Sequence, residues 1–400
     1  MRRKFLVGDP APDFYCAATK NTNFHLGSMA GRYLVLCFFG SASDEKSAKT
    51  IEFFTQTMRQ HFNDEKTAFF GVCVDHSDRE QGRVQDMYPG IRYFWDYDYK
   101  VSKLYGAMDM DADTNGDAIA YQPFTLVLDP SMRVIGNIPI ANLERHHAVV
   151  EHMLTTLPPL DAHAGVPLNA PVLVIPRVFE PEFCRTLISL YDTYGGEESG
   201  SMVERDGKTI GKIDYSHKRR MDYTIEDEDI RAGLRARIVR RILPEIQKSF
   251  QFHTTRIERY IVACYDGEHQ GFFRPHRDNT TKGTAHRRFA CTINLNAEDY
   301  EGGNLRFPEF GTRTYRAPTG GAVVFSCSLL HEATPVTKGK RYATLPFLYD
   351  DAAAKIRAEN LEYLSDEVVN YNEGRIAPPQ PQQPEQPAVQ PVGDANLFNF

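Results

Sequence analysis

Between residues 256 and 349 the chain breaks into short strand-like runs separated by turn residues, and no other stretch restricts its fold so tightly. The runs cover 256–265, 272–277, 289–295, 304–307, 322–327 and 341–349, punctuated by Gly267, Gly302-Gly303, Pro318 and Gly320-Gly321. Short strands that follow one another without intervening helices must bury a face against each other, the pattern of a jelly-roll or double-stranded β-helix. Two stretches ahead of it, 180–194 and 230–250, carry leucine and isoleucine at three- and four-residue spacings and read as helices backing one sheet.

The front of the chain, 1–157, alternates strand-like and helix-like patterns instead. Residues 33–39 form a continuous apolar run suited to a buried strand, and 43–62 follows with helical spacing and Ser43 or Asp44 as N-cap. Further strands are expected at 68–74, 124–128 and 134–140, which together argue for an α/β sandwich. At 400 residues the chain exceeds one typical core. Two domains are therefore expected, 1–157 and 172–352, joined by a Pro-rich linker at 158–171. Beyond them lie a helical extension at 353–376 and a Pro/Gln-rich tail at 377–400 that reads as disordered, with an SH3-type ligand as the lesser reading.

Charge and cysteine usage narrow the function classes. A net charge of −7 gives no concentrated basic surface for nucleic acid. The main basic run, His217-Lys218-Arg219-Arg220, reads as a solvated loop beside the acidic 226–229 stretch, the minority reading being a rim that attracts an anionic substrate. Seven cysteines (Cys16, Cys37, Cys73, Cys184, Cys264, Cys291 and Cys327) show no C-x-x-C spacing and mostly sit in apolar runs. They imply a reducing compartment and a cytoplasmic location. Gly8, Asp9 and Pro10 interrupt the basic start before any apolar segment, so no signal peptide is expected. No run approaches the roughly 18 apolar residues that would span a membrane.

Within the strand-rich half, His276-Arg277-Asp278 is followed by His331 and then by Arg341. Two imidazoles and a carboxylate can hold Fe(II) on one face and leave the opposite positions open, and an arginine can grip a carboxylate. With 13 histidines and 53 acidic residues in the chain, about two H-x-D patterns arise by chance. The second, His76-Ser77-Asp78, has no such sequel and reads as a surface loop. His276 and Asp278, two apart on a strand, face the same way. His331 is expected from the opposite sheet, and Glu332 points elsewhere. His269 and His286 read as loop or surface groups, with substrate contact as the lesser reading, and Arg274, Arg287, Arg288 and Arg306 as surface salt-bridge residues, with lining of the substrate entrance as the lesser reading.

These residues carry two resemblances. Ile261-Val262-Ala263-Cys264-Tyr265, Gly271 to Asn279, Tyr300 to Phe307 and His331 to Tyr342 resemble the prolyl 4-hydroxylase type of Fe(II)/2-oxoglutarate dioxygenases, over about 171–350. The resemblance implies iron at His276, Asp278 and His331, the co-substrate carboxylate at Arg341, and further co-substrate contact from Tyr265. Thr344 can add a hydroxyl to that carboxylate. Asn294 departs from the pattern, since many members carry tyrosine there, yet its amide can still contact the co-substrate. A carboxylate at Asp278, where related halogenases have a small residue, favours hydroxylation. The implied cofactors are Fe(II), 2-oxoglutarate and O2, with ascorbate as a candidate reductant. Gly8 to Phe14 and Tyr121 to Asp129 resemble the thioredoxin superfamily's peroxiredoxin-like branch, in which the proline corresponding to Pro123 is cis. The turn after the 33–39 strand, Gly40 to Ser47, lacks the redox cysteine, so this domain is expected to be redox-silent.

The leading expectation is a hydroxylase acting on a prolyl or other amino-acid unit, free or peptidyl. One alternative is a recruitment or oxygen-sensing protein that binds a partner through the front domain or the Pro-rich tail. The other is a thiol peroxidase using Cys37 or Cys73. Substrate specificity is expected in the loops at 195–221 and 279–288.

Overall fold

The computed structural model describes residues 2–112, 120–365 and 373–376. The Pro/Gln-rich stretch 377–400 and residues 366–372 of the extension lie outside the described residues.

The front half is a twisted sheet flanked by helices. Its strands are β1 (Tyr15–Ala18), β2 (Asn21–His25), β3 (Tyr33–Gly40), β4 (Thr67–Cys73), β5 (Ile91–Trp95), β6 (Phe124–Leu128) and β7 (Val134–Pro139), and its helices α1 (Glu45–Glu52), α2 (His76–Glu80), α3 (Lys100–Leu104) and α4 (Leu143–Thr156). The described strands run in the order β2-β1-β5-β4-β3-β6-β7, with β3, β4 and β5 parallel and β2 at one edge. β3 is apolar throughout because both its faces are covered. Tyr33, Val35, Cys37 and Phe39 enter one core, and Leu34, Leu36 and Phe38 the other. Asp44 caps α1 by accepting from Ser47 N, and the predicted 43–62 helix loosens beyond Glu52 into a π-helical turn and a 3-10 turn.

His76-Ser77-Asp78 is not a surface loop. It forms the short helix α2, and Asp78 is fully buried, accepting from Ala42 N and Arg83 and from the Cys73 thiol. The peptide bond before Pro123 is trans; among the described residues the cis bond is Tyr88-Pro89.

The back half is a distorted double sheet. Its strands begin with β8 (Leu173–Ile175), β9 (Glu197–Glu198), β10 (Ser201–Arg205), β11 (Lys208–Lys212), β12 (Lys218–Arg219), β13 (Met221–Thr224), β14 (Arg256–Glu258), β15 (Ile261–Asp266), β16 (Phe272–His276) and β17 (Phe289–Asn294). They continue with β18 (Glu301–Gly302), β19 (Leu305–Arg306), β20 (Thr314–Tyr315), β21 (Ala322–Ser326), β22 (His331–Ala333), β23 (Val336–Lys338), β24 (Lys340–Thr344), β25 (Phe347–Tyr349) and β26 (Glu373–Arg375). The minor sheet has the order β12-β16-β22-β19-β20, and the major one the path β26-β14-β25-β17-β24-β15-β13-β9 with β21 and β8 attached at β17.

Three helices, α5 (Pro181–Tyr194), α6 (Glu228–Arg241) and α7 (Leu243–Phe250), cover the outside of the major sheet. The predicted 230–250 helix is split at Ile242, where Pro244 follows in the first turn of α7. The predicted 256–265 strand is broken at Arg259, which has φ 74°. Among the described residues of the extension, α8 (Asp351–Glu359) and a 3-10 turn are helical, and β26 adds a strand beside β14.

The two halves are packed on each other. Leu330, in the back half, is buried in the front half's core with Leu26 and Met29. Gly31, at φ +86°, lies so close to Pro308 that an added Cβ would sit 2.2 Å from the proline Cβ. The linker is docked too, for Asp161 accepts from the Thr312 hydroxyl at 2.8 Å and Ala170 is buried.

Candidate active site

β16 and β22 are antiparallel neighbours in the minor sheet, and His276 lies directly across from His331. The second histidine therefore comes from the adjacent strand rather than from the opposite sheet. Asp278 lies two residues past the end of β16, fixed by its N–H to Cys327 O at 3.0 Å. The three side chains converge so that one donor atom of each lies within 4.8 Å of the others. Asp278 oxygens stand 3.6 Å from His276 Nε2 and 3.3 Å from His331 Nε2.

Both imidazoles are oriented from behind. His276 Nδ1 is 2.8 Å from Arg274 O, and His331 Nδ1 is 3.0 Å from Leu329 O. A carbonyl only accepts, so each Nδ1 carries the hydrogen and each Nε2 presents its lone pair to the centre. Phe273 stacks on His276 with centroids 3.5 Å apart, and Phe325 meets His331 edge-on at 4.6 Å. Burial and the neighbouring His331 push His276 down to about 4, which keeps the ring neutral and able to donate its lone pair.

The triad opens into a cavity of about 520 Å³ that also reaches Tyr265 and Arg341. These two are cross-strand partners on β15 and β24, with the Arg341 guanidinium 4.9 Å above the Tyr265 ring. Arg341 is 2% exposed, and its Nε and Nη1 have no hydrogen-bond partner. A buried guanidinium without an acid costs several kcal/mol. Its orphaned donors in a cavity shared with two imidazoles and a carboxylate fit a bound carboxylate ligand.

Thr344 and Asn294 do not line this cavity. Thr344 is three residues beyond Arg341, so on a pleated strand its side chain leaves the opposite face. Asn294 lies deeper in the barrel, with Nδ2 donated to Ala317 O at 2.7 Å.

The basic run is not a solvated loop. Lys218 and Arg220 are buried and line the cavity. Arg220 makes paired bonds of 2.7 and 2.6 Å to Asp222 and approaches the Tyr265 hydroxyl at 3.4 Å. Lys218 donates to the Ser199 hydroxyl at 2.8 Å and to Gly200 O at 2.7 Å, above the Phe273 ring. Burial and nearby Arg220 push its ammonium well below the usual lysine range. The signal was present in the sequence: Lys218, Arg220 and Asp222 recur with period two, which puts them on one face of an extended segment.

His286 and Arg287 are likewise not surface groups. Both are buried against Glu258, at 2.8 and 2.6 Å, because each would otherwise be an uncompensated polar group in the barrel wall. Arg306 does pair, with Glu332, and His269 and Arg274 are exposed. Cys37 and Cys73 are buried, and burial raises both thiols, Cys37 to about 12, so neither is an accessible thiolate.

Two parts of the chain match known families. Residues 260–349 match the 2OG-Fe(II) oxygenase superfamily, and residues 7–136 the AhpC/TSA family. A PKHD-type hydroxylase of Cupriavidus metallidurans is 26% identical over 188 residues, 43% of this chain and 75% of the relative. Procollagen-lysine,2-oxoglutarate 5-dioxygenase 1 of Mus musculus is 28% identical over 182 residues, 43% of this chain but 23% of the relative, so the chain spans under a quarter of that protein's length. Among solved structures, a prolyl hydroxylase from Trichoplax adhaerens, in complex with a hypoxia inducible factor oxygen degradation domain peptide fragment, is 17% identical. It covers 54% of this chain and 93% of its own, with a TM-score of 0.36.

Proposed function

We propose, from a chain whose C-terminal part is a dioxygenase domain of the 2OG-Fe(II) oxygenase superfamily and whose N-terminal part is an AhpC/TSA-type thioredoxin fold, that the protein hydroxylates a prolyl or other amino-acid unit. The family implies Fe(II), 2-oxoglutarate and O2 as the cofactor set. When bound, that set supplies an oxidant for an unactivated C–H, giving the alcohol, succinate and CO2. His276, Asp278 and His331 would hold the iron, their Nε2 and carboxylate atoms already turned to one centre.

The observation that carries this reading is Arg341, a buried cation with unpaired donors in the triad's own cavity. Its planar fork matches the distal carboxylate of 2-oxoglutarate. The Tyr265 ring beneath keeps the guanidinium in place, and Arg220 sets the Tyr265 hydroxyl. Phe273 and Phe325 lock the two imidazoles and keep water from their edges. Hydrogen abstraction needs no general base, so the buried Lys218 and Arg220 act on ligand binding and local charge rather than on proton transfer.

Succinate release by the full chain, dependent on both Fe(II) and 2-oxoglutarate and lost in His276→Ala, tests the reading. Succinate formation that survives His276→Ala and Asp278→Ala would remove it. The thiol peroxidase reading has no support in the geometry of Cys37 or Cys73.

A further inference from the structure

The cavity in front of the triad is closed by the other half of the chain. Its lining includes Asn21, Asn23 and His25 of β2 and Ser28 just after it, together with the metal-site residues. The contact is direct at the site itself. Arg277, between the proposed ligands His276 and Asp278, reaches Gly27 O at 3.4 Å while bonded to Glu309 at 2.9 Å. Leu330, beside His331, is buried among front-half residues.

We propose that the thioredoxin-like domain is the second wall of the oxygenase pocket, and that the β2 segment is a substrate-binding subsite for a peptide. Three observations converge on this. Asn21, Asn23 and His25 alternate along β2, so their side chains leave the same side of the strand, and all three line the cavity together with Phe24 between them. Among the described residues β2 is the edge strand of its sheet, so one row of its backbone groups has no strand partner there, and such a row can pair with an extended chain.

The chemistry of the wall is the third. The Asn21 and Asn23 side-chain NH2 groups and the Asn23 amide oxygen are neutral donors and an acceptor that match peptide groups, while Asn21 Oδ1 accepts from Asn23 N–H and the Ser28 hydroxyl donates to His25 O. His25 already pairs with Asp13, and Asp214 across the cavity is held by Lys212 and Ser216. No carboxylate on the β2 wall is free to receive the ammonium of a free amino acid. The inference rests on the hydroxylase reading and narrows its substrate from an amino-acid unit in general to one within a peptide.

The test uses the full chain with Fe(II) and 2-oxoglutarate. Succinate release is scanned against tripeptides containing proline or lysine, blocked at both ends, and against free amino acids. If a blocked peptide couples, the double variant Asn21→Ala/Asn23→Ala should raise its KM by roughly tenfold, as expected for two lost hydrogen bonds, with the KM for 2-oxoglutarate unmoved. An unchanged peptide KM, or coupling by free amino acids alone, overturns the proposal. If nothing couples, the hydroxylase reading fails first, and the wall is judged without a substrate. Asn23→Cys, in a Cys16→Ala background, is labelled with a trifluoromethyl thiol reagent. Mn(II) should broaden its fluorine line, whereas Zn(II), or Mn(II) with Asp278→Ala, should not. A sharp line with Mn(II) bound would overturn the proposal.

Discussion

Replacing Arg341 by methionine should move ligand affinity and stability in opposite directions. The guanidinium is 2% exposed, with two donor nitrogens unpaired and the Tyr265 ring 4.9 Å away. Two charge-assisted hydrogen bonds to a carboxylate contribute about 1.5 to 3 kcal/mol each, so their loss is about 3 to 6 kcal/mol. That weakens 2-oxoglutarate binding by roughly a hundredfold to ten-thousandfold. Without the ligand, Arg341 is an uncompensated buried charge, and an apolar side chain of similar length should stabilise the protein by about 1 to 3 kcal/mol. For a domain of this size each kcal/mol moves the midpoint by about 2 to 4 °C. Thermal unfolding in an anion-poor buffer, with and without Mn(II) and 2-oxoglutarate, reads both effects. Wild type should gain stability with 2-oxoglutarate and Arg341→Met should not, while the variant alone should melt higher. A variant that melts lower and still binds 2-oxoglutarate as wild type does would refute the carboxylate-site argument.

Mn(II) at about a hundred times its Kd should stabilise the protein by about 2.7 kcal/mol in denaturant titrations; a chelator should reverse this, and Asp278→Ala should show no response. Glu258→Ala leaves His286 and Arg287 buried without their acid, so chemical denaturation should show a loss of about 3 to 5 kcal/mol. Burial and neighbouring His147 hold His146 at about 4, below the usual 6.5. Its neutral form therefore contributes stability that is complete above 6.5 and is lost as pH falls toward 4, by up to about 3 kcal/mol. His146→Gln should flatten that part of a urea-midpoint profile against pH. Peroxide consumption should be absent in wild type and unaltered in Cys37→Ser and Cys73→Ser; a thiol-dependent rate would contradict the buried geometry of both.

What could be read from the sequence followed from period and spacing. The 33–39 run had to be a strand buried on both faces, and its alternate residues do enter two separate cores. The H-x-D, H and R order located four groups that share one cavity. Strand partners were not legible in the same way. Nothing local says that β22 lies beside β16, so His331 was assigned to the wrong sheet. Thr344 was expected beside Arg341, but an odd step along the strand reverses the face, and it does not line the cavity. Glu258, His286 and Arg287 meet across 28 and 29 residues of chain, and only folding makes surface-looking charges into a buried cluster. The most distant case is β2, which lies more than 250 residues before His276 and carries no pattern pointing there.

Leu330 gives the boundary between the two halves an energetic meaning. It occupies the front half's core, yet the next residue is a proposed iron ligand. Pulling the halves apart would strip Leu330 of its packing and loosen the backbone that aims His331. Occupancy of the metal centre and integrity of the thioredoxin-like fold should therefore be thermodynamically linked, so that unfolding proceeds in a single transition and metal binding protects the amides of the front domain from hydrogen exchange. A front domain without a cysteine in the Gly40 to Ser47 turn would then serve the proposed metal centre as a mechanical support.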